Sequence, residues 1–425
     1  MKKKSIGEIV LIAMLLLSAC GQVSAPPTQA TSTPIAEQTK PSEKTENTNL
    51  DLSDEEEATN QDNVSTRDNV GSQIYVRKDT DGTDDGLASV LAMMEENGEP
   101  FYQTADSLAG LIANDDVVIL FYNGQWDERG GTNTDLINAI VEAIATHPDG
   151  FNGEIVIADS GQGDGALDHA KANSANRDQS IMDVVNKQKE LGVKVTGYLW
   201  DDIMNIEVSE FTQGDDNDGY VIDPEVSQET QIVISYPKFT TEYGTQISIR
   251  EGIWDGTNYD SDTLKLINIP VLKSHWLYRG TACVKNYMGM PSQNLSKKAG
   301  GDPHLSVALG SMGEMMAKSR MSVLNILDMI YIGAYGGPWL TYEEASDNFM
   351  IAASTDPFAL DYWAVKNILM PKAEEVGNSN WQAMDPDGDT PGTFGHWMSL
   401  SLEEIQKYGY NDFVFGSEGV VIHER

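Results

Sequence analysis

Lys273 and His275 stand at the end of the apolar run Leu266-Ile267-Asn268-Ile269-Pro270-Val271-Leu272, and Lys285 follows in Lys285-Asn286-Tyr287-Met288-Gly289. A lysine ammonium is a compact charge for a carboxylate or phosphate, and it loses its proton readily when buried. A histidine moves protons near neutral pH. Residues 264–320 carry eight basic residues against Asp302 and Glu314, a local net charge of +6 inside a chain of -38. Positive charge gathered beside Gly-rich turns suits a small anion. Lys273, His275 and Lys285 are therefore the candidate catalytic residues. Lys297 and Lys298 read as partners of ordinary surface ion pairs.

Other apolar runs end in residues that suit the same site. Asn123 and Arg129 follow Val117-Val118-Ile119-Leu120-Phe121-Tyr122, and Asp159 follows Glu154-Ile155-Val156-Ile157-Ala158. Arg279 and Asn286 flank the lysine segment, and Asp356 follows Phe349-Met350-Ile351-Ala352-Ala353. In open α/β sheets ligands bind at the carboxyl ends of strands, so these six are the candidate substrate-binding residues. With the site empty, Asp159 or Asp356 is the expected partner of a lysine.

The elements that must position them alternate. Ile74-Tyr75-Val76 reads as a strand, and Leu87, Val90, Leu91 and Met94 as the face of a helix. A helix carrying Leu136, Ile137, Ile140, Val141 and Ile144 follows the 117–122 strand, with Thr132, Asn133 and Thr134 as candidate caps. A helix from Ile181 to Leu191 separates strand 154–158 from strand Val193-Lys194-Val195. This order predicts an α/β fold with a largely parallel sheet covered by helices. Residues 204–262 are irregular and read as an insertion. The α/β pattern returns at 266–272, at Val323-Leu324-Asn325-Ile326-Leu327 and at 349–353. A helix opens at Pro357, and Ser401 with Glu404 predicts a capping box for a last one.

Several motifs are weaker. Gly161-Gln162-Gly163-Asp164-Gly165 lacks the dinucleotide spacing and reads as a turn. Asp215-Asp216-Asn217-Asp218-Gly219 and Asp385-Pro386-Asp387-Gly388-Asp389 lack the full calcium-loop pattern and read as acidic surface turns. His147, His169, His396 and His423 have no metal-ligand spacing, so no metal site is assigned. Cys283 reads as a small buried residue. With only two cysteines no iron–sulfur cluster is expected, and any other cofactor is open.

The N-terminus is an export signal. Lys2, Lys3 and Lys4 precede an apolar run too short to span a bilayer, which ends in Leu17-Ser18-Ala19-Cys20. That order resembles a bacterial lipobox, with residues 1–19 removed and Cys20 lipidated. The alternative is an ordinary signal peptide in which Cys20 has no role. Residues 21–72 hold three basic and ten acidic residues and little apolar surface, so they read as a disordered acidic tether. The body is 73–425, placed outside the cytoplasm and held to the membrane through Cys20. A net charge of -38 excludes a general nucleic-acid binder.

The segments Gly130-Gly131-Thr132-Asn133-Thr134-Asp135, Pro270-Val271-Leu272-Lys273 with His275, Lys285-Asn286 with Gly289, and Ser354-Thr355-Asp356-Pro357 with Asp361 resemble those of the family called domain of unknown function 362. The resemblance runs over roughly residues 110–370 and implies an α/β domain without an established activity. Some relatives carry ferredoxin-type cysteine runs; this chain has none.

The reading that follows is an enzyme acting on a small anionic substrate, with Lys273 and Lys285 on the anion and His275 moving a proton. The alternative is a solute-binding lipoprotein that uses the same pocket without catalysis. An adhesive or envelope-assembly role has only the acidic surface and the aromatic insertion behind it. Cys20→Ala is expected to release the mature protein from the membrane fraction or to block its processing. Fractionation with palmitate labelling checks this, and normal processing with unchanged retention removes the lipid reading.

Overall fold

The computed structural model describes residues 71–425; Cys20, the export signal and nearly all of the acidic tether lie outside them. The strands are β1 (Ser72–Lys78), β2 (Val117–Tyr122), β3 (Glu154–Asp159), β4 (Val195–Leu199), β5 (Gly219–Val226), β6 (Val233–Thr240), β7 (Gln246–Ser248), β8 (Gly252–Trp254), β9 (Tyr259–Asp260), β10 (Leu264–Ile269), β11 (Val271–His275), β12 (Arg279–Thr281), β13 (Leu324–Gly333), β14 (Ser346–Ser354) and β15 (Val420–Glu424). Ten of them form one sheet in the order β15-β1-β14-β13-β10-β2-β3-β4, with β11 attached to β13 and β12 to β11. From β13 to β4 along this order every pairing is parallel. β5 to β9 make a separate antiparallel sheet within the 204–262 stretch.

The continuous apolar runs sort by the two-residue period of a strand. Val118, Leu120 and Tyr122 of β2 pack on one face with Ile155 and Ile157 of β3. Against them lie three helices: α1 (Gly86–Glu96), α2 (Thr134–Ala145) and α3 (Ile181–Glu190). Val117, Ile119 and Phe121 face the other way, toward the second sheet and the helices of the last hundred residues. A sheet buried on both faces is what an uninterrupted Val/Ile/Leu strand requires. Asn133 caps α2, accepting from the backbone N–H groups of Asp135 and Leu136.

Three local expectations change. The fourth strand begins at Val195 and runs to Leu199, because Gly192 ends α3 with a left-handed turn and Val193 is still in that turn. The 266–272 run divides at Pro270, which has no N–H to continue the ladder. β10 pairs with β2 up to Ile269, whereas β11 pairs with β13 and with β12. Ser401 lies inside the helix Phe394–Gln406, and its hydroxyl bonds back to the Trp397 carbonyl; Thr393 is the cap. The amphipathic pattern extends seven residues ahead of the Ser401 signal, and burial of Phe394, Trp397 and Met398 outweighs it.

The two acidic turns hold lysines. Lys366 bonds the carboxylates of Asp385 at 2.6 Å and Asp387 at 2.7 Å. Lys238 donates to the Asp215 carbonyl, and the Asp215 carboxylate accepts from Ser209 and Asn217.

β14 runs antiparallel to both β1 and β13, so its carboxyl end lies at the opposite edge of the sheet from those of β2, β3 and β11. This moves Asp356 away from the other candidates. It caps the helix α4 (Pro357–Ala364), accepting from Phe358 and Ala359, and it also accepts from Val414 N–H and the Ser72 hydroxyl. Asp356→Ala is expected to destabilise the protein by about 1–3 kcal/mol in urea unfolding while leaving anion binding unchanged.

Candidate functional site

β11 and β12 form a hairpin in which Lys273 pairs with Thr281 and His275 with Arg279. Alternation along β11 therefore puts Lys273 and His275 on one face with Thr281. The chain then turns into a single helical turn over Cys283–Asn286, which carries Lys285 and Asn286. That turn is too short to stand alone. Asp361 of α4 anchors it, accepting from the N–H groups of Cys283 at 2.7 Å and Val284 at 2.9 Å. Burial raises the Asp361 carboxyl to about 7, and these two donors oppose the rise. The late Ser354–Asp361 motif thus works from behind the site, with Asp361 holding the turn that presents Lys285.

These elements enclose a cavity of about 200 Å³ at the carboxyl edge of the sheet. Of the sequence candidates it gathers Lys273, His275, Lys285, Asn123, Asp159 and Asn286. Lys273 is 1% exposed and Lys285 5%. Lys273 donates to the side-chain oxygen of Asn123 at 3.0 Å and to the Gly130 carbonyl. Both acceptors favour the ammonium form, and its third proton remains for a ligand. Lys285 has neither hydrogen bond nor ion pair among the described residues, only the Tyr278 ring 5.4 Å away. Burial pushes both amines down to about 7; nearby Asp159 opposes this at Lys273, while no charge supports Lys285. Lys285 is accordingly the amine whose charged form no neighbouring acceptor or carboxylate supports.

His275 is held in one tautomer. Its Nδ1 accepts from the backbone N–H groups of Leu277 at 3.1 Å and Tyr278 at 3.2 Å, so in the neutral ring the proton sits on Nε2. Burial, then Lys285 and His304, lower its pKa to about 2. His304 lies 5.5 Å from it, ring to ring, and is lowered to about 4 by burial and Lys285. Both imidazoles are neutral at physiological pH.

Asp159 is buried beside Lys273 but turned to the backbone. One oxygen accepts from Gly124 N–H at 2.7 Å, and a Cβ on Gly289 would lie 2.6 Å from the other. Burial and neighbouring Asp201 push this carboxyl upward, against the Gly124 donor and Lys273. Lys273 also orients a chain of side-chain amides. Asn123 donates to Asn286 at 3.3 Å, Asn286 to Asn268 at 2.9 Å, Asn268 to Asn325 at 3.0 Å, and Asn325 to the Ser354 carbonyl at 3.2 Å. An ammonium has no acceptor, so it sets the direction of every amide behind it.

Arg129 and Arg279 lie outside the cavity. Arg129 is buried against Tyr331, its guanidinium 3.4 Å from the ring centre, and donates to Asn173 and the Ser174 carbonyl. Five residues of irregular loop separate it from Asn123, enough to carry it behind the cavity wall. Arg279 is opposite His275 on the hairpin, but its backbone is left-handed (φ 72°) and its side chain runs outward to the Gly392 and Trp276 carbonyls. Asp356 is at the far edge, as above. The cationic cluster divides likewise: Lys297 pairs with Asp302, Lys318 with Glu314, and Arg320 donates to the Ile249 and Leu264 carbonyls.

His304 also lines the cavity and was not among the candidates. Its signal was position, within the basic 264–320 stretch, where only lysines and arginines entered the charge balance. Trp126, Trp276 and Trp339 form the mouth, with Trp276 59% and Trp339 52% exposed. The buried Trp126 indole N–H and Thr281 hydroxyl have no hydrogen-bond partner among the described residues. No group of three or more His, Cys, Asp or Glu among the described residues is placed to hold a metal ion. Cys283 is fully buried and its thiol is pushed up by burial, so it packs.

Residues 259–366 match the model of the family described as Domain of unknown function (DUF362). That segment contains Lys273, His275, Lys285, Asn286, His304 and Asp361, whereas the 130–135 segment lies before it. No curated protein and no solved structure matches the chain.

Gly289→Ala is expected to force the Lys285 turn off Asp159, costing about 1–3 kcal/mol of stability and weakening anion binding. Urea unfolding and titration calorimetry on the same preparation check both effects. Unchanged values would show that the carboxylate moves aside freely.

Proposed function

We propose that this protein is an extracytoplasmic, lipid-anchored enzyme that binds a small carboxylate or phosphate at Lys273 and Lys285, with neutral His275 as a hydrogen-bond donor to the bound substrate. The observation that carries the reading is Lys285: a buried amine, unpartnered among the described residues, facing a cavity that also holds the Lys273 ammonium. Burying a cation without a partner is costly, and an anion entering the cavity removes that cost. His275 lines the cavity as a neutral ring whose Nδ1 is filled by two backbone donors, so it offers its Nε2–H to polarise a substrate oxygen and does not itself transfer a proton. The cavity is lined by the strands of the main sheet and by the loops and short helices that connect them, and no residue of β5 to β9 contributes. It is therefore not a cleft between two lobes, which is the arrangement a closing solute receptor would favour. The export and anchoring part of the reading rests on residues 1–20 alone.

Binding should take up a proton at Lys285. Its amine is charged below about 7 and neutral above, so affinity for an anion falls as pH rises through that value. The slope approaches about tenfold per pH unit. Titration calorimetry with acetate, lactate and methylphosphonate between pH 6 and 9, in buffers of different ionisation enthalpy, checks this. Lys273→Met and Lys285→Met are expected to abolish binding with the fold intact by circular dichroism. Affinity that is flat with pH, or that survives both substitutions, overturns the reading.

A further inference from the structure

We propose that Lys285 is an amine nucleophile that condenses with the carbonyl of a small 2-oxo carboxylate, while Lys273 holds the carboxylate. The proposal rests on the anion-site reading and adds the substrate class and the covalent step. It begins from the difference between two lysines of equal burial. Lys273 donates to the Asn123 and Gly130 oxygens, which hold its nitrogen in place and, in the ammonium form, leave one donor to spare. Lys285 meets no acceptor among the described residues, so nothing ties up its nitrogen. Two buried amines of which one is gripped by acceptors and the other is bare divide the work of holding and of reacting. A desolvated lysine beside a second cation is the setting in which an amine attacks a carbonyl at neutral pH.

The remaining lining fits the step. His275 and His304 are neutral, and the His275 Nδ1 is already occupied by two backbone donors. Its Nε2–H is left for the substrate carbonyl oxygen. The unpartnered Thr281 hydroxyl and Trp126 indole N–H offer further donors. A cavity of about 200 Å³ is somewhat larger than one that accepts benzene, which suits an oxo acid of a few carbons. The Lys285 nitrogen would form a bond to the carbonyl carbon while the carbonyl oxygen takes a proton, giving a carbinolamine. Loss of that oxygen as water, carrying both amine protons in the net balance, leaves the C=N bond. No electron carrier is required.

Reduction of the mature protein with sodium cyanoborohydride in the presence of glyoxylate, pyruvate or 2-oxobutyrate tests the step. The expected result is one reduced adduct per chain in the peptide that contains Lys285, formed at least about tenfold faster than on any surface lysine. The rate should rise as pH passes through 7. Lys285→Arg is expected to lose the adduct, and exposed Lys298→Ala to keep it. Peptide mapping of the unsubstituted protein needs no variant to fold. Adducts spread over surface lysines, or placed on Lys273, overturn the proposal. So does saturable binding of the oxo acids without an adduct, a result that leaves the anion site standing. Failure of both oxo acids and lactate to bind overturns the two readings together.

Discussion

The interaction on which the site depends is the grip of Asn123 and Gly130 on the Lys273 ammonium. A buried cation is tolerated only when its protons are accepted. Here the acceptors come from the loop after β2, so meeting that requirement also joins β11 to a part of the chain with which it shares no ladder. The amide chain through Asn286, Asn268 and Asn325 then carries the orientation inward to Ser354, across three neighbouring strands. Each amide is satisfied only if the next one points the same way, so the network couples the cavity floor to the packing of the sheet centre.

Lys285 is the counterpart, an amine left without an acceptor among the described residues, in a cavity where the Trp126 indole N–H and the Thr281 hydroxyl are likewise unpartnered. Its turn is rigid: Asp361 ties down the start, and the absence of a Cβ at Gly289 lets the end lie on Asp159. Preorganised walls around a free amine are what a binding or reacting group requires, because no reorganisation is then charged to the ligand. The strongly acidic surface beyond the cavity works in the other direction, repelling anions at long range. The field that draws a small anion in must therefore be local, and the screening of physiological salt favours that arrangement.

The second sheet plays no part in the lining, yet it is attached firmly. Arg320 reaches from the main body to the carbonyls of Ile249 and Arg250, and Arg250 donates back to the Lys318 carbonyl. Apolar residues of β5 to β7 complete the core on the face opposite α1 to α3. The insertion serves as a cover for the sheet, which frees the carboxyl edge to remain open.

Much of this was legible in one dimension. Runs such as 117–122 and 155–158 are apolar at every position because both faces of their strands are covered, and the alternation of strands with helices implied parallel pairing. Strand ends of a parallel sheet share one edge, so Asn123, Asp159, Lys273 and His275 could be placed together from order alone, and Lys285 with Asn286 followed by proximity. What order could not supply was strand direction and side-chain aim. β14 reads like its neighbours but runs the other way, because a strand's direction depends on the path of the chain before it and not on its own residues; Asp356 went with it to the far edge. Arg129 and Arg279 carry the right charge, but stacking on Tyr331 buries the one behind the cavity wall and a left-handed backbone turns the other outward. The identity of the buried lysines was written in the chain; which of them would be gripped and which left bare was decided only when a loop from β2 closed over one and not the other.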